Sequence, residues 1–211
     1  MPGAAGPSAS DEGHGGESDG GESDGGESDG GESDGGVGDN APSGRADDLG
    51  PPPERAGAGP PEELSPEERQ QLDQHRADLA ANDPQRYSDY QKDPDHMRRD
   101  GSYDIDDNAR EEAKTALDLR YRGILPGDLQ RPPVRGQGDF YSPSAGHYYD
   151  IKEVSSSPSF SVANFERKLA DQFTRGRIPV IDARNTIQAN IDQIKEMIER
   201  RGWQEDVVWY P

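Results

Sequence analysis

Four consecutive copies of Gly-Gly-Glu-Ser-Asp, running from Gly15 to Asp34, contain no apolar side chain. A degraded copy, Gly35-Gly36-Val37-Gly38-Asp39, follows them. Such a stretch has nothing to bury and cannot offset the conformational entropy of ordering its backbone. Glycine- and aspartate-rich repeats build calcium β-rolls only with a nonapeptide period and an apolar residue turned inward in each repeat. The period here is five, so that reading is excluded. Residues 1–61 are expected to be a disordered linker, stiffened near its end by Pro51-Pro52-Pro53 and Pro60-Pro61.

This split changes the meaning of the net charge of −20. Residues 1–60 carry 14 acidic and 2 basic side chains, whereas from Ser102 onward the count is 18 to 15. The acidity mostly describes the tail and says little against a nucleic-acid substrate for the folded part. The absence of cysteine excludes disulfides and thiolate metal sites. No basic segment precedes an apolar stretch at the N-terminus, and nothing approaches about 18 continuous apolar residues. A secretory signal and a membrane anchor are therefore not expected. If the protein leaves its cell, another system or another polypeptide is expected to carry it.

Ser65-Pro66-Glu67-Glu68 has the form of a helix start, with Ser65 as N-cap, Pro66 at the first helical position and Glu68 placed to close a capping box. The run to about Asn82 holds few apolar residues beyond Leu72 and Leu79, so residues 62–101 are expected to be a partly helical linker or extension. Globular patterning begins near Asp104. Asp106 or Asp107 can cap a helix to about Tyr121, with Gly123 past its end. Two short β-type runs, Asp139–Tyr141 and His147–Val154, flank Ser142-Pro143-Ser144-Ala145-Gly146 and read as a hairpin. Val162, Phe165, Leu169 and Phe173 lie at helical spacing in Ser161–Thr174, and Ile187, Ile191, Ile194 and Ile198 do so in Asn185–Arg201. Ile178–Ile181 and Val207–Tyr210 read as strands. With a possible further strand in 131–138, the order is α-β-β-(β)-α-β-α-β. The expected fold is α/β, a small mixed β-sheet flanked by helices over residues 102–211.

The hairpin concentrates the chemistry. Side chains alternate along a strand, so Tyr148, Asp150 and Lys152 share one face, and Asp139 opens the neighbouring strand. Two carboxylates and an ammonium at one sheet edge suit a hard divalent cation and charge building on a phosphate. On the preceding helix, Glu112 lies beside the packed Ala109, Ala113 and Ala116 side. Glu111 falls with Asn108, Thr115 and Asp118, read as a solvated set. Glu112 is accordingly the expected helix carboxylate, with Glu111 as the alternative.

A helix carrying Glu, then Asp139, then Asp150-x-Lys152 within a hairpin, followed by helix and strand, resembles the PD-(D/E)xK, or restriction-endonuclease-like, nuclease superfamily. The resemblance covers roughly residues 104–211. It departs from the motif at Gly138, where a proline is commonly found. It implies a phosphodiesterase whose catalytic residues are Glu112, Asp139, Asp150 and Lys152. Asp139, Asp150 and Glu112 would hold Mg²⁺, or Mn²⁺ or Zn²⁺, with DNA or RNA as substrate. Gly138–Val154, behind a long Gly/Pro/Asp-rich segment, is also similar to the C-terminal toxin domains of bacterial polymorphic and contact-dependent inhibition toxins. That likeness implies a cognate immunity protein as partner. The Ser155–Ser159 loop, Arg167, Lys168, Arg175 and Arg177 are candidate backbone contacts. Two other functions compete with this one. The first is a non-enzymatic acidic immunity or adaptor module, suggested by the net charge; the second is a nuclease-like domain without catalysis.

Overall fold

The computed structural model describes residues 59–211 other than Pro158; the linker and repeat over 1–58 lie outside the described residues. Helix α1 (Pro66–Asn82) opens on the expected capping box: Ser65 Oγ accepts the Glu68 N–H at 3.2 Å and Glu68 Oε2 accepts the Ser65 N–H at 2.9 Å. Its buried stripe is Leu72, Arg76, Leu79 and Ala80. An arginine at a core position weakens the apolar periodicity, which is why this helix looked marginal in sequence. Helix α2 (Pro84–Tyr90) follows with Asp83 as its N-cap, and then a short 3-10 turn at Pro94–His96. Helix α3 (Asp107–Tyr121) is capped by Asp106, whose carboxylate accepts the Ala109 N–H at 2.8 Å.

The sheet contains β1 (Phe140–Ser142), β2 (His147–Glu153), β3 (Arg177–Asp182) and β4 (Val208–Tyr210), in that spatial order. β1 and β2 are antiparallel; β2–β3 and β3–β4 are parallel. Helices α4 (Val162–Thr174) and α5 (Gln188–Arg201) make the two crossovers that parallel neighbours require. The result is a mixed four-stranded α/β sheet. No strand forms over 131–138; the nearest pairing is an isolated bridge of Gln130 with Tyr141. Pro132 and Pro133 cannot donate to a ladder, and Gly136 and Gly138 take positive φ, so this segment loops instead.

Alternation in the strands divides the core. Tyr149, Ile151, Val180 and Tyr210 join Leu64, Leu72 and Tyr90 and the Ala113, Ala116 and Leu119 face of α3. Val154, Ile181 and Trp209 face the other way, onto Phe165 and Leu169 of α4 and the Ile191, Ile194 and Ile198 stripe of α5. Helices α1–α3 therefore cover one sheet face and α4–α5 the other. Residues 64–90 contribute directly to the first of these layers.

Helix α5 starts three residues later than its periodicity suggests, and its N-cap, Ile187, offers no side-chain bond. A distant partner caps it instead. Glu63 Oε2 accepts the Gln188 N–H at 2.8 Å, and Gln188 Oε1 accepts the Glu63 N–H at 2.7 Å.

Beneath α3 lies a buried polar network that corrects one expectation. Thr115 and Asp118 are fully enclosed and do not form a solvated set with Glu111. Asp118 accepts from Tyr210 Oη at 2.8 Å and pairs with Arg122 at 2.7 Å, and His75 Nε2 lies 3.2 Å away. Thr115 Oγ1 donates to Asp182 at 3.2 Å and accepts from Arg76 at 3.1 Å. Helical position alone placed these residues outside, but α1 and β3 cover them with partners.

Burial pushes the Asp182 carboxyl up to about 7; Arg76 opposes that rise, while Glu153 and Glu111 add to it. The folded state thus keeps a proton on Asp182 that the unfolded chain has released near pH 4. Stability should fall as pH rises from about 4 to about 7, with a slope of up to ~1.4 kcal/mol per pH unit. Urea midpoints measured across that range should decline in the parent. Asp182→Asn should make the decline shallower, Asp139 supplying the remainder, and an equally steep decline in the variant would assign it wholly to other groups.

Candidate active site

The site forms where β1 stops and β2 continues. Gly138 holds φ +106°, and a Cβ there would meet the Tyr149 carbonyl at 3.1 Å and Arg177 Cδ at 3.4 Å. Glycine lets the chain pass this close to β2 and swing into the hairpin. The Asp139 N–H then donates to the Tyr149 carbonyl at 2.9 Å. Its Oδ2 accepts the Ile151 N–H at 2.5 Å. The carboxylate thus takes the acceptor position that a longer β1 would have filled with a backbone carbonyl. This fixes Asp139 at the open edge of the sheet.

Asp150 and Lys152 share one face of β2, as the alternation predicts. Asp150 is 4% exposed; one oxygen is ion-paired with Lys152 Nζ, and the other lies 3.4 Å from Arg177 Nη1. Glu112 reaches the same region from α3, held by Asn108 Nδ2 at 2.6 Å and by Arg131 Nη2 at 3.2 Å. Glu111, one residue earlier, turns to Arg76 at 3.0 Å, Arg184 at 2.5 Å and Lys114 at 2.8 Å. The two glutamates therefore serve different clusters, and Glu112 is the one beside Asp139.

Two members of the site had no signal in the sequence. Asp93 stands before the 3-10 turn, where its Oδ1 accepts the Asp95 N–H at 2.8 Å as an ordinary turn aspartate would. Carboxylate oxygens of Asp93, Glu112 and Asp139 nevertheless lie within 4.8 Å of one another. Arg131 is threaded among them. Its Nε donates to the Tyr90 carbonyl at 2.5 Å, and its Nη1 donates to the Asp139 carbonyl at 3.0 Å and lies 3.8 Å from Asp93. The guanidinium lies 4.4 Å from the centroid of the Phe140 ring, a cation–π contact. Asp150, expected among the metal ligands, is not a member of this three-carboxylate group; its oxygens face Lys152 and Arg177.

The electrostatics join both halves. Burial pushes the Asp139 carboxyl well above its ordinary range, and the Glu112 and Asp150 carboxylates push it further; Lys152 and Arg131 oppose them. Burial also raises Glu112, against the Arg131 guanidinium. Burial works against the Lys152 ammonium, but Asp139, Asp150 and Glu112 outweigh it and raise its pKa. Lys152 is thus fully protonated near neutral pH. The carboxyl groups of Asp93, Glu112, Asp139 and Asp150 face the cations Lys152, Arg131 and Arg177, and a bound divalent cation would supply the positive charge that favours ionised Asp139 and Glu112.

The donor set tests which metal fits. Asp93, Glu112 and Asp139 offer carboxylate oxygens only, without histidine or thiolate. Hard, oxygen-seeking Mg²⁺ or Mn²⁺ suits this set, whereas the zinc alternative would favour nitrogen or sulfur ligands that are absent from the group.

The other expected cations are partly spoken for. Arg177 turns inward to Asp150, to Gln172 Oε1 at 3.0 Å and to the Gly136 carbonyl. Arg175 pairs with Asp171 at 2.8 Å and Arg167 with Asn164, while Lys168 is exposed on α4. No helix among the described residues is long and apolar enough to cross a membrane. Comparison of the chain with protein-family models, with curated proteins and with solved structures finds no match.

Proposed function

We propose that this protein is a divalent-metal-dependent endonuclease with a restriction-endonuclease-like core, acting on DNA or RNA as a bacterial toxin restrained by a cognate immunity protein. One observation carries the enzymatic part. Asp139 is bonded to the Ile151 N–H, between Asp150 and Lys152 of β2, and its carboxylate lies within 4.8 Å of that of Glu112 from α3, although 40 residues separate Glu112 from Lys152. The toxin and immunity-protein parts rest on the hairpin's likeness to such domains. They place its action in the cytoplasm of the producing or the receiving cell.

Asp139 and Glu112, joined by Asp93, would hold Mg²⁺ or Mn²⁺, which when bound lowers the pKa of a water and withdraws charge from a phosphoryl oxygen. The chain supplies the rest. Lys152 presents a fixed ammonium whose charge is secured by three carboxylates, preorganised for negative charge growing on the phosphate. Asp150 orients that ammonium and Arg177 in turn holds Asp150. The Ile151 N–H fixes the Asp139 oxygen it bonds and leaves the other free to bind.

Supercoiled plasmid, single-stranded DNA and tRNA incubated with the full chain should be cut in Mg²⁺ or Mn²⁺ and remain intact in EDTA. Intact substrates under all conditions would sink the enzymatic reading. The alternative of a nuclease-like fold without catalysis has one observation in its favour: Arg131 already pairs with Glu112 and approaches Asp93, so the acidic group is partly neutralised by the protein itself. Calorimetric titration separates the two, because the silent domain would bind no Mn²⁺.

A further inference from the structure

One corner of the sheet is covered by neither helical layer. Tyr141 of β1 and Tyr148 of β2 are cross-strand partners whose rings stack at 4.6 Å between centroids and 29° between planes. Both rings are partly exposed, and neither belongs to either apolar cluster, unlike Tyr149 next door. Helices α4 and α5 cover Val154, Ile181 and Trp209 on this face and leave the tyrosines free. Tyr148 shares the face with Asp150 and Lys152, so the aromatic pair stands on the order of 7 Å along the strand from Asp150, at about 3.3 Å per residue. Arg177 is the register partner of Tyr148 and also reaches Asp150.

We propose that the Tyr141–Tyr148 pair is a stacking subsite for an unpaired nucleobase, and that the substrate is single-stranded or locally opened nucleic acid. The proposal rests on the nuclease reading above and specifies its substrate. The occupant follows from complementary chemistry. A flat, partly wetted aromatic surface accepts a base face, while the Lys152 ammonium, farther along the same face beyond Asp150, is placed to meet a phosphate of the same strand. In a duplex each base face is already stacked on its neighbours, so such a platform serves bases that are splayed out of the stack. A cross-strand tyrosine pair also supports its hairpin, but that role needs no proximity to Lys152 and predicts no dependence on bases in a ligand.

The test is a binding measurement with the full chain in Ca²⁺, using fluorescent oligothymidylate, a duplex of the same length and a sugar-phosphate oligomer lacking bases. The parent should bind oligothymidylate on the order of tenfold or more tightly than the base-free oligomer, and more tightly than the duplex. The Tyr141→Leu/Tyr148→Leu variant should lose the advantage of bases, whereas Tyr141→Phe/Tyr148→Phe should keep it. A parent indifferent to the presence of bases, a duplex preference, or a folded leucine variant with parental affinity would each overturn the subsite. If the parent also cuts nucleic acid in Mg²⁺, such a result removes the subsite alone. If it neither binds nor cuts any of the substrates, the nuclease reading falls with it.

Discussion

A chain beginning at Ser102 should not fold, while the full chain unfolds cooperatively. Leu64, Leu72, Leu79 and Tyr90 are all buried, and Leu64, Leu72 and Tyr90 pack with the alanine face of α3 and with Leu125, Leu129 and Phe140. Burial of large apolar side chains contributes roughly 1.5–3 kcal/mol each, so losing four of them removes about 6–12 kcal/mol. That is comparable with the whole margin of a typical domain, about 5–15 kcal/mol. The truncation also takes Arg76 from the network around Glu111, Thr115 and Asp182, removing one of the two guanidinium groups there and leaving Arg184 alone to face both carboxylates. It removes the cap that Glu63 gives α5. Far-UV circular dichroism during heating should show a sigmoidal transition for the full chain and a featureless slope for the truncated one. Cooperative melting of the truncated chain near the parental temperature would show that α1 and α2 are accessories to a core complete without them.

The second large effect concerns the site and has opposite signs in two assays. Asp139→Asn should reduce metal-dependent cleavage by on the order of a thousandfold, since an amide neither carries the charge that holds a hard cation nor replaces the carboxylate beside Lys152. Lys152→Met should lose activity comparably while retaining Mn²⁺ binding, because in the proposed mechanism the ammonium meets the phosphate and holds no metal. In metal-free buffer the aspartate substitution should instead raise stability at neutral pH. The buried Asp139 carboxyl is pushed well above its ordinary range by burial and by Glu112 and Asp150. Its charge therefore costs stability as pH rises above the unfolded value near 4, and the asparagine does not incur this cost while its carbonyl can still accept from Ile151. The stability difference should grow with pH from 4 upward. A variant that is less stable than the parent in EDTA at pH 8 would mean that Asp139 serves the fold and not a cation.

Lys152 and Asp150 were legible because period-two alternation is local: two residues on one strand share a face whatever surrounds them. Asp139 followed from the hairpin, whose turn residues set the register of its strands. Glu112 followed from the helical repeat, which put it beside the alanines. The same repeat misjudged Thr115 and Asp118, for a helix wheel shows which residues lie together and not whether another element covers them. Asp93 and Arg131 were invisible for a related reason. Each has an ordinary local role before a turn or a Pro-Pro step, and only the packing of α2 and the 131–138 loop onto β1 brings them to Asp139.

The sequence by itself determined the elements that depend on short-range chemistry. These are the capping box at Ser65, an aspartate cap at 106 or 107, the hairpin, the isoleucine stripe of α5 and the incapacity of the Gly-Gly-Glu-Ser-Asp repeat to bury anything. Tertiary structure alone decided that residues 64–90 belong to the core, that Arg76 is a buried residue, and that Glu111 and Glu112 serve different clusters. Those outcomes depend on pairs of groups far apart in the chain, and the free energy of burying a charge depends on the partner it meets there.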